Sequence, residues 1–391
     1  MSVLLFVFVF AVAVLGHLAL WTWLYNRIHA SRLPYKRVKL LEKCVIVGLF
    51  GSLLAFVAWL SNQQQHGLNH DQDMASCLGR AWLFACGGML AYVTLAWGIR
   101  RSTSSDHDLL LKNDTDIIDL RATLGCRPIA DRFTYWQSCI RGNQILEVHL
   151  QRKVLAMENL PAELEGLRIA HVSDLHMSRQ LQRQFFETAI DHANAWAPDL
   201  VALTGDLVEE PDCIDWIPAT FGRLNSRFGV YALLGNHEQR LDNVQTLRDA
   251  FVESGVTYIG GRSLTCRMWN VDVLLAGNEC PWFPPAPHVP QRDGSSHAFS
   301  VLLSHSPDPL PWARRHQFNL MLAGHTHGGQ IRFPFIGPVV CPSQYGVRFA
   351  SGVFHAAPVL LHVSRGLSGT HPWRFNCPPE ITLLELRGLK P

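Results

Sequence analysis

The chain has 391 residues, 48% hydrophobic and only 17% charged, against roughly 25% charged residues in an average soluble protein, so part of it is unusually apolar. Its 34 Lys and Arg against 32 Asp and Glu leave a formal charge of +2, which excludes a bulk-charge attraction to nucleic acid, and its 12 Trp and 20 Phe exclude a disordered chain. Ten cysteines without a C-x-x-C pair exclude a zinc ribbon or a dense disulfide framework and fit a reducing compartment. Three apolar runs then fill the first 100 residues, at 2–25, 44–60 and 81–99. About 20 residues cross the ~30 Å hydrocarbon core of a bilayer, and none of the runs has an amphipathic period, so each is expected to be a transmembrane helix. The first is too long for the apolar core of a signal peptide and has no basic residue before it. His17, in mid-span, is expected to be a hydrogen-bonded side chain facing a neighbouring helix.

Residues 25–43 hold Arg27, Arg32, Lys36, Arg37, Lys39 and Lys43, whereas 61–80 hold only Arg80 among basic residues, with Asp71 and Asp73. Arg100 and Arg101 follow the third run. The positive-inside rule therefore places the first loop, and everything after residue 100, on the cytoplasmic side of the cell inner membrane.

Residues 101–141 are mixed in composition and read as a linker with a helical piece. From 142 onward the pattern is that of an α/β domain. Residues 145–148 and 154–157 read as a hairpin about a polar turn. Short apolar runs follow at 167–172, 200–203, 230–234, 271–276, 299–303, 320–323, 359–363 and 381–386, with helical spacing at 182–196 and 244–253 and a Pro-rich loop at 281–290. Strands that are apolar throughout are buried on both faces, which predicts sheet inside and helices outside. The expected organisation is a membrane domain over 1–100, a linker over 101–141 and an α/β domain over 142–391.

Ligands of open α/β sheets gather beyond the carboxyl ends of strands, and here those ends carry one kind of chemistry. The runs lead into Asp174-Leu175-His176, Gly205-Asp206, Gly235-Asn236-His237-Glu238, His305, and Gly324-His325-Thr326-His327. Carboxylate, imidazole and amide oxygen are ligands for hard-to-borderline divalent ions. One Asp-x-His arises by chance; five strand ends delivering such groups do not.

This series, with the flanking words Ile169-Ala170-His171-Val172-Ser173-Asp174-Leu175-His176, Gly324-His325-Thr326-His327-Gly328-Gly329-Gln330 and Ser364-Arg365-Gly366-Leu367, resembles the calcineurin-like metallophosphoesterase superfamily over roughly 145–391. The flanking words and the N-terminal runs resemble its membrane-anchored subgroup, which includes the transmembrane protein with metallophosphoesterase domain. The resemblance implies N-terminal transmembrane helices followed by a four-layer α/β/β/α sandwich and two divalent metal ions, Mn, Fe or Zn. It implies that Asp174, His176 and His327 bind one ion, that Asn236, His305 and His325 bind the other, and that Asp206 bridges both. Two ions ~3.5–4 Å apart lower the pKa of a shared water and clamp the phosphoryl oxygens, so the implied reaction is hydrolysis by a metal-bridging hydroxide. His237 is the implied catalytic residue, protonating the leaving oxygen or hydrogen-bonding the phosphate; its alternative is a structural role after the turn. His171, inside a strand, is expected to pack in the core, and Glu238 to brace the local backbone.

Two departures from the family pattern bear on substrate. Glu209 stands where many relatives have an aspartate that orients the acid histidine. Glu210 and Leu234 stand where protein phosphatases of the superfamily have arginines. Fewer cations disfavour a phosphomonoester dianion and favour a diester or a pyrophosphate, and a membrane tether favours a lipid-linked substrate. The competing readings are a cyclic-nucleotide or nuclease-type phosphodiesterase, and a non-catalytic metal-bound scaffold. A nuclease needs a basic, aromatic-lined track that is absent here, so a nucleic acid partner is not expected.

Overall fold

The three apolar runs become three helices in the computed structural model, which describes residues 3–66, 74–102, 109–125, 128–290 and 298–389. They are α1 (Val3–His29), α2 (Tyr35–His66) and α3 (Met74–Ser102), each long and apolar enough to cross a membrane. α2 and α3 extend beyond their apolar runs at both ends, and α1 beyond its run at the carboxyl end, because helical hydrogen bonding continues through polar flanks where hydropathy has already fallen. Close packing depends on small residues: a Cβ on Gly16 would lie 1.9 Å from the Cys86 carbonyl oxygen. His17 is buried, with Nε2 3.0 Å from the Leu49 carbonyl, and Trp21 donates to Ser52 Oγ at 3.2 Å. The mid-span histidine thus makes an interhelical hydrogen bond through Nε2.

The chain divides into two compact units, Met1–Ser104 and Ser105–Pro391. The second begins inside the stretch expected to be a linker. There β1 (Leu110–Asp119) pairs antiparallel with β2 (Glu147–Met157), and α4 (Leu120–Leu124) and α5 (Arg132–Ser138) follow it. β1 is an edge strand, exposed over most of its length, with Lys-Asn-Asp-Thr-Asp at its centre. It therefore lacks the alternation that betrays a half-buried strand. Residues 103–108 and 126–127 of that stretch, and 67–73 of the second loop, lie outside the described residues. The hairpin expected at 145–157 is instead the single strand β2. Its polar centre needs no turn, because Lys153 is buried there with Nζ 3.0 Å from His362 Nε2.

The first sheet continues from β2 through the last strand, β15 (Glu380–Gly388), to β3 (Arg168–Val172), β4 (Leu200–Thr204), β5 (Val230–Leu233) and β6 (Val256–Tyr258). The second contains β7 (Ser263–Met268), β8 (Val271–Asn278), β9 (Phe299–Ser304), β10 (Leu320–Ala323), β13 (Gly352–Ala356) and β14 (Val359–Val363), in the order β13-β14-β10-β9-β8-β7. Between β10 and β13 lies a separate hairpin of β11 (Arg332–Phe333) and β12 (Gly337–Pro338).

Side chains alternate across each strand, which lets both faces be apolar. Leu200 and Ala202 of β4 meet Leu275, Val301 and Leu322 of the second sheet. Val201 and Leu203 share a core with Phe186 and Ile190 of α6 (Arg183–Ala195) and with Leu247 and Phe251 of α7 (Val244–Glu253). Leu302, Met321 and Leu361 pack under Leu310 and Ala313 of α8 (Leu310–Arg315). The result is a four-layer α/β/β/α sandwich, with each fully buried Leu or Phe contributing about 1.5–3 kcal/mol. β3, β4 and β5 run parallel, as do β9, β10 and β14, so their carboxyl ends deliver side chains to a common edge.

Candidate metal centre

At that edge the strands break off into turns whose backbone is held in the left-handed region. Asp174 (φ 52°), His176 (45°), Asp206 (50°), His325 (70°) and His327 (50°) all have positive φ, a conformation that costs a non-glycine residue of order 1–3 kcal/mol and clusters at functional sites. Two glycines of the motifs permit the crowding. A Cβ on Gly235 would lie 2.3 Å from Asp206 Oδ1, and one on Gly366 would lie 2.6 Å from the Asp174 Cβ. The Ser364–Leu367 word is thereby explained: its backbone passes against Asp174, where Leu367 N donates to Ser173 O (3.0 Å) and Ser368 N to Asp174 O (2.9 Å).

The side chains converge as two groups that share one carboxylate. Asp174, His176, Asp206 and His327 form the first; Asp206, His305 and His325 form the second. In the first, His176 Nε2 and His327 Nε2 stand 3.2 Å apart, and His327 Nε2 is 3.6 Å from Asp174 Oδ1. Asp206 Oδ2 lies 3.5 Å from His176 Nε2 and 3.2 Å from His305 Nε2. Asn236 Oδ1 joins the second group, 3.1 Å from His305 Nε2. All seven residues expected as ligands are thus brought together. Imidazole nitrogens turned toward one another across carboxylate oxygens are the donor set of divalent cations, so the residues present fit such ions.

Each of three histidines is fixed from behind. His305 Nδ1 donates to Thr204 O (2.8 Å), His327 Nδ1 to Ser368 O (3.2 Å) and His176 Nδ1 to Glu209 Oε2 (3.1 Å). Carbonyl and ionised carboxylate oxygens only accept, so these bonds select the tautomer that presents Nε2 to the centre. Asp174 is held by the His325 N–H, at 3.0 and 3.1 Å from its two oxygens. The His237 N–H holds Asp206 Oδ1 at 2.8 Å.

Burial pushes the Asp174 carboxyl up. The equally buried Asp206 goes the other way, because His305 and His237 outweigh burial and hold it well below the usual carboxylate range. Burial, with His176 and Arg374 beside it, holds His327 well below its ordinary value, in the neutral form that a metal ligand needs.

His237 sits at the rim, 9% exposed, with Nε2 3.9 Å from Asp206 Oδ2. Burial lowers its pKa, opposed by Asp206 and Glu209. The longer Glu209 reaches two imidazoles at once, with Oε2 on His176 and Oε1 3.4 Å from His237 Nδ1. Three contributors carry no sequence motif. Arg240 pairs with Glu209 and lies 3.3 Å from His237 Nε2; its only signal is its place three residues after His237. Arg374 is fully buried and donates to the carbonyls of His327 (3.1 Å), Arg365 (2.8 Å) and Ser368. Trp282, in the Pro-rich loop, lies with its ring 5.2 Å from that of His305 and 4.7 Å from that of His325. His171 is a core residue as expected, bonded to Thr204 Oγ1 and His362 Nδ1, both at 2.8 Å.

Residues 167–329 match the sequence model of the calcineurin-like phosphoesterases. The uncharacterized metallophosphoesterase YkuE of Bacillus subtilis is 31% identical over 245 residues, which cover 58% of this chain and 82% of that protein. The chain belongs to the calcineurin-like phosphoesterase family. The phosphodiesterase YaeI of Escherichia coli is 27% identical, over 56% of this chain and 82% of that protein. The UDP-2,3-diacylglucosamine pyrophosphatase LpxG of Chlamydia trachomatis is 24% identical, over 61% of this chain and 90% of that protein. With its His and Asp cluster, this family member is a metal-dependent phosphoric ester hydrolase.

Proposed function

We propose that the chain is a membrane-anchored phosphoesterase that holds two divalent cations, Mn, Fe or Zn, and hydrolyses phosphodiester or pyrophosphate bonds of a lipid-linked substrate at the cytoplasmic face of the inner membrane. The observation that carries this reading is Asp206, one carboxylate common to two groups of ligand side chains. Asp174, His176 and His327 would hold one ion, Asn236, His305 and His325 the other, and Asp206 both. When bound, the ions supply Lewis-acid activation of water and neutralise charge on the phosphoryl oxygens. The protein does the rest: Glu209 and Arg240 orient His237 at the rim, where its imidazole meets the leaving oxygen and donates a proton or a hydrogen bond.

The membrane anchor is supported by α1, α2 and α3, and the orientation by the six basic residues within 25–43. Membrane tethering concentrates lipid-borne substrates, and a relative named for a diacylglucosamine pyrophosphatase supports the lipid-linked class. The domains assigned are 1–100 in the membrane and 142–391 for hydrolysis, with the strand and helices of 109–141 built onto the latter.

The deciding experiment is hydrolysis of a monoester, diester and pyrophosphate panel, including UDP-diacylglucosamine, by the purified full-length protein with manganese or zinc added. Faster cleavage of lipid-linked diester or pyrophosphate is expected. Preference for monoesters, or no turnover of any member, overturns the reading.

A further inference from the structure

Three residues beyond His327 the chain leaves the metal centre and builds the β11–β12 hairpin, whose tip is apolar and in solvent: Phe333 is 51% exposed, Phe335 88% and Ile336 56%. The hairpin root is tied to the centre by Gln330 N donating to His327 O (3.0 Å) and Arg332 Nε to Gly328 O (2.8 Å). A second exposed apolar surface, Phe133, Trp136 and Ile140, lies on α5 and the turn after it.

One stretch of chain joins the two. Arg332 N donates to Phe375 O (2.9 Å) and Phe375 N to Gln330 O (3.0 Å), while the Phe375 ring lies over Gly142. Asn143 Nδ2 then donates to both Gln137 O (2.9 Å) and Pro372 O (2.7 Å). Hairpin, 372–376 segment and α5 therefore form one hydrogen-bonded collar beside the His327 edge of the metal centre.

Exposed apolar patches rimmed by polar residues mark interaction surfaces, and the charge here selects the partner. Arg132 and Arg141 are exposed and flank Phe133, Trp136 and Ile140 in sequence, Asp131 is taken up capping α5, and Arg332 stands at the hairpin root, whereas Arg365 and Arg374 are buried and contribute no surface charge. Aromatic and Ile side chains set among arginines suit the headgroup region of an anionic bilayer. The same chain carries three helices able to cross such a bilayer, with six residues, 103–108, between α3 and Leu109 in sequence.

We propose that this collar is a bilayer-contacting surface: the hairpin tip and α5 enter the headgroup region of an anionic membrane, and the metal centre beside them meets phosphoesters at the lipid–water boundary. The proposal deepens the lipid-linked reading above and rests on it for its purpose, but the contact itself is measured without turnover.

The test uses the full-length protein in phosphatidylglycerol and phosphatidylcholine vesicles with alkyne-tagged acyl chains, carrying Phe335→p-benzoylphenylalanine or, as control, Val252→p-benzoylphenylalanine on exposed α7. Irradiation should give a lipid adduct at 335 at least tenfold above that at 252. A covalent dimer of the chain, or lipid adducts no greater than the control, overturns the proposal. In a second arm, the Phe335→Ser, Ile336→Ser double variant should hydrolyse a soluble nitrophenyl diester within twofold of the parent and a vesicle-borne pyrophosphate at least fivefold more slowly. Equal losses on both substrates count against the collar. If the parent cleaves neither substrate, the hydrolase reading falls, and the crosslink still decides the contact.

Discussion

Glu238 reaches back from the turn after Asn236 to cradle the backbone of Asp206, accepting the Asp206 N–H at 3.2 Å and those of Leu207 (2.5 Å), Val208 (3.0 Å) and Gly235 (2.7 Å). The side chain is fully buried, and burial, with Asp206 nearby, pushes its pKa up to about 7. It belongs to none of the groups that could hold a metal, yet it sets the two turns that carry Asp206 and Asn236. Glu238→Ala strands four buried donors, each costing about 1–3 kcal/mol when unpaired. We expect a loss of about 3–5 kcal/mol in stability together with reduced metal content. Thermal unfolding and metal analysis check this; a variant with parental stability and full metal content refutes it.

Asp206→Asn should keep the fold and lose nearly all turnover, about 10³-fold or more, since one carboxylate serves both groups of ligands. Metal analysis beside a steady-state assay is the check. Full occupancy with undiminished activity would remove the bridging role.

His237→Ala should slow substrates with poor leaving groups most, because an alkoxide needs a proton and a nitrophenolate departs unaided. Metal content should stay at the parental level, whereas removing His325 should lower it and slow all substrates alike. Equal losses on an alkyl and a nitrophenyl diester, with normal metal, would point to phosphate binding by the imidazole. Arg240→Ala should reproduce part of the His237 defect, because Glu209 loses the cation that holds it beside the ring.

Behind the site, Arg365 Nε and N bind the two oxygens of buried Glu380 at 2.6 and 3.0 Å. Burial alone would raise the Glu380 pKa; Arg365 and Lys153 outweigh it and hold the carboxyl far below its ordinary value. A depressed carboxylate stabilises the fold fully above its unfolded pKa, about 4.3, and that stability is lost as pH falls below this value toward the folded pKa. Glu380→Gln should therefore cost about 3–5 kcal/mol at pH 7, and parent and variant should converge in melting temperature as pH falls from 5 to 3. A difference independent of pH refutes the ion-pair account.

The basic residues of 25–43 predict that a reporter active only in the oxidising exterior is silent when fused after residue 391 and active when inserted between 61 and 80. The reverse pattern overturns the cytoplasmic placement.

What the sequence determined by itself are the features that depend on neighbours in the chain. Long apolar runs make helices long and apolar enough to cross a membrane, whatever surrounds them. A buried parallel strand is a short apolar run, and its end is marked by the residue that breaks it; Asp174, Asp206, Asn236, His305 and His325 stand at such breaks, so the candidate ligands were legible beside the strands. The tertiary structure decided whatever depends on contacts far apart in sequence. Polar, exposed β1 has no pattern of its own and is a strand because β2 pairs with it. Lys153 turned an expected turn into continuous strand because His362, 209 residues away, receives it. Glu209 serves two histidines rather than one, Arg374 holds the His327 loop from 47 residues away, and the collar joins α5 to the β11–β12 hairpin through Asn143 and Phe375. Such partners leave no local period, because the free energy that selects them arises only when the layers close.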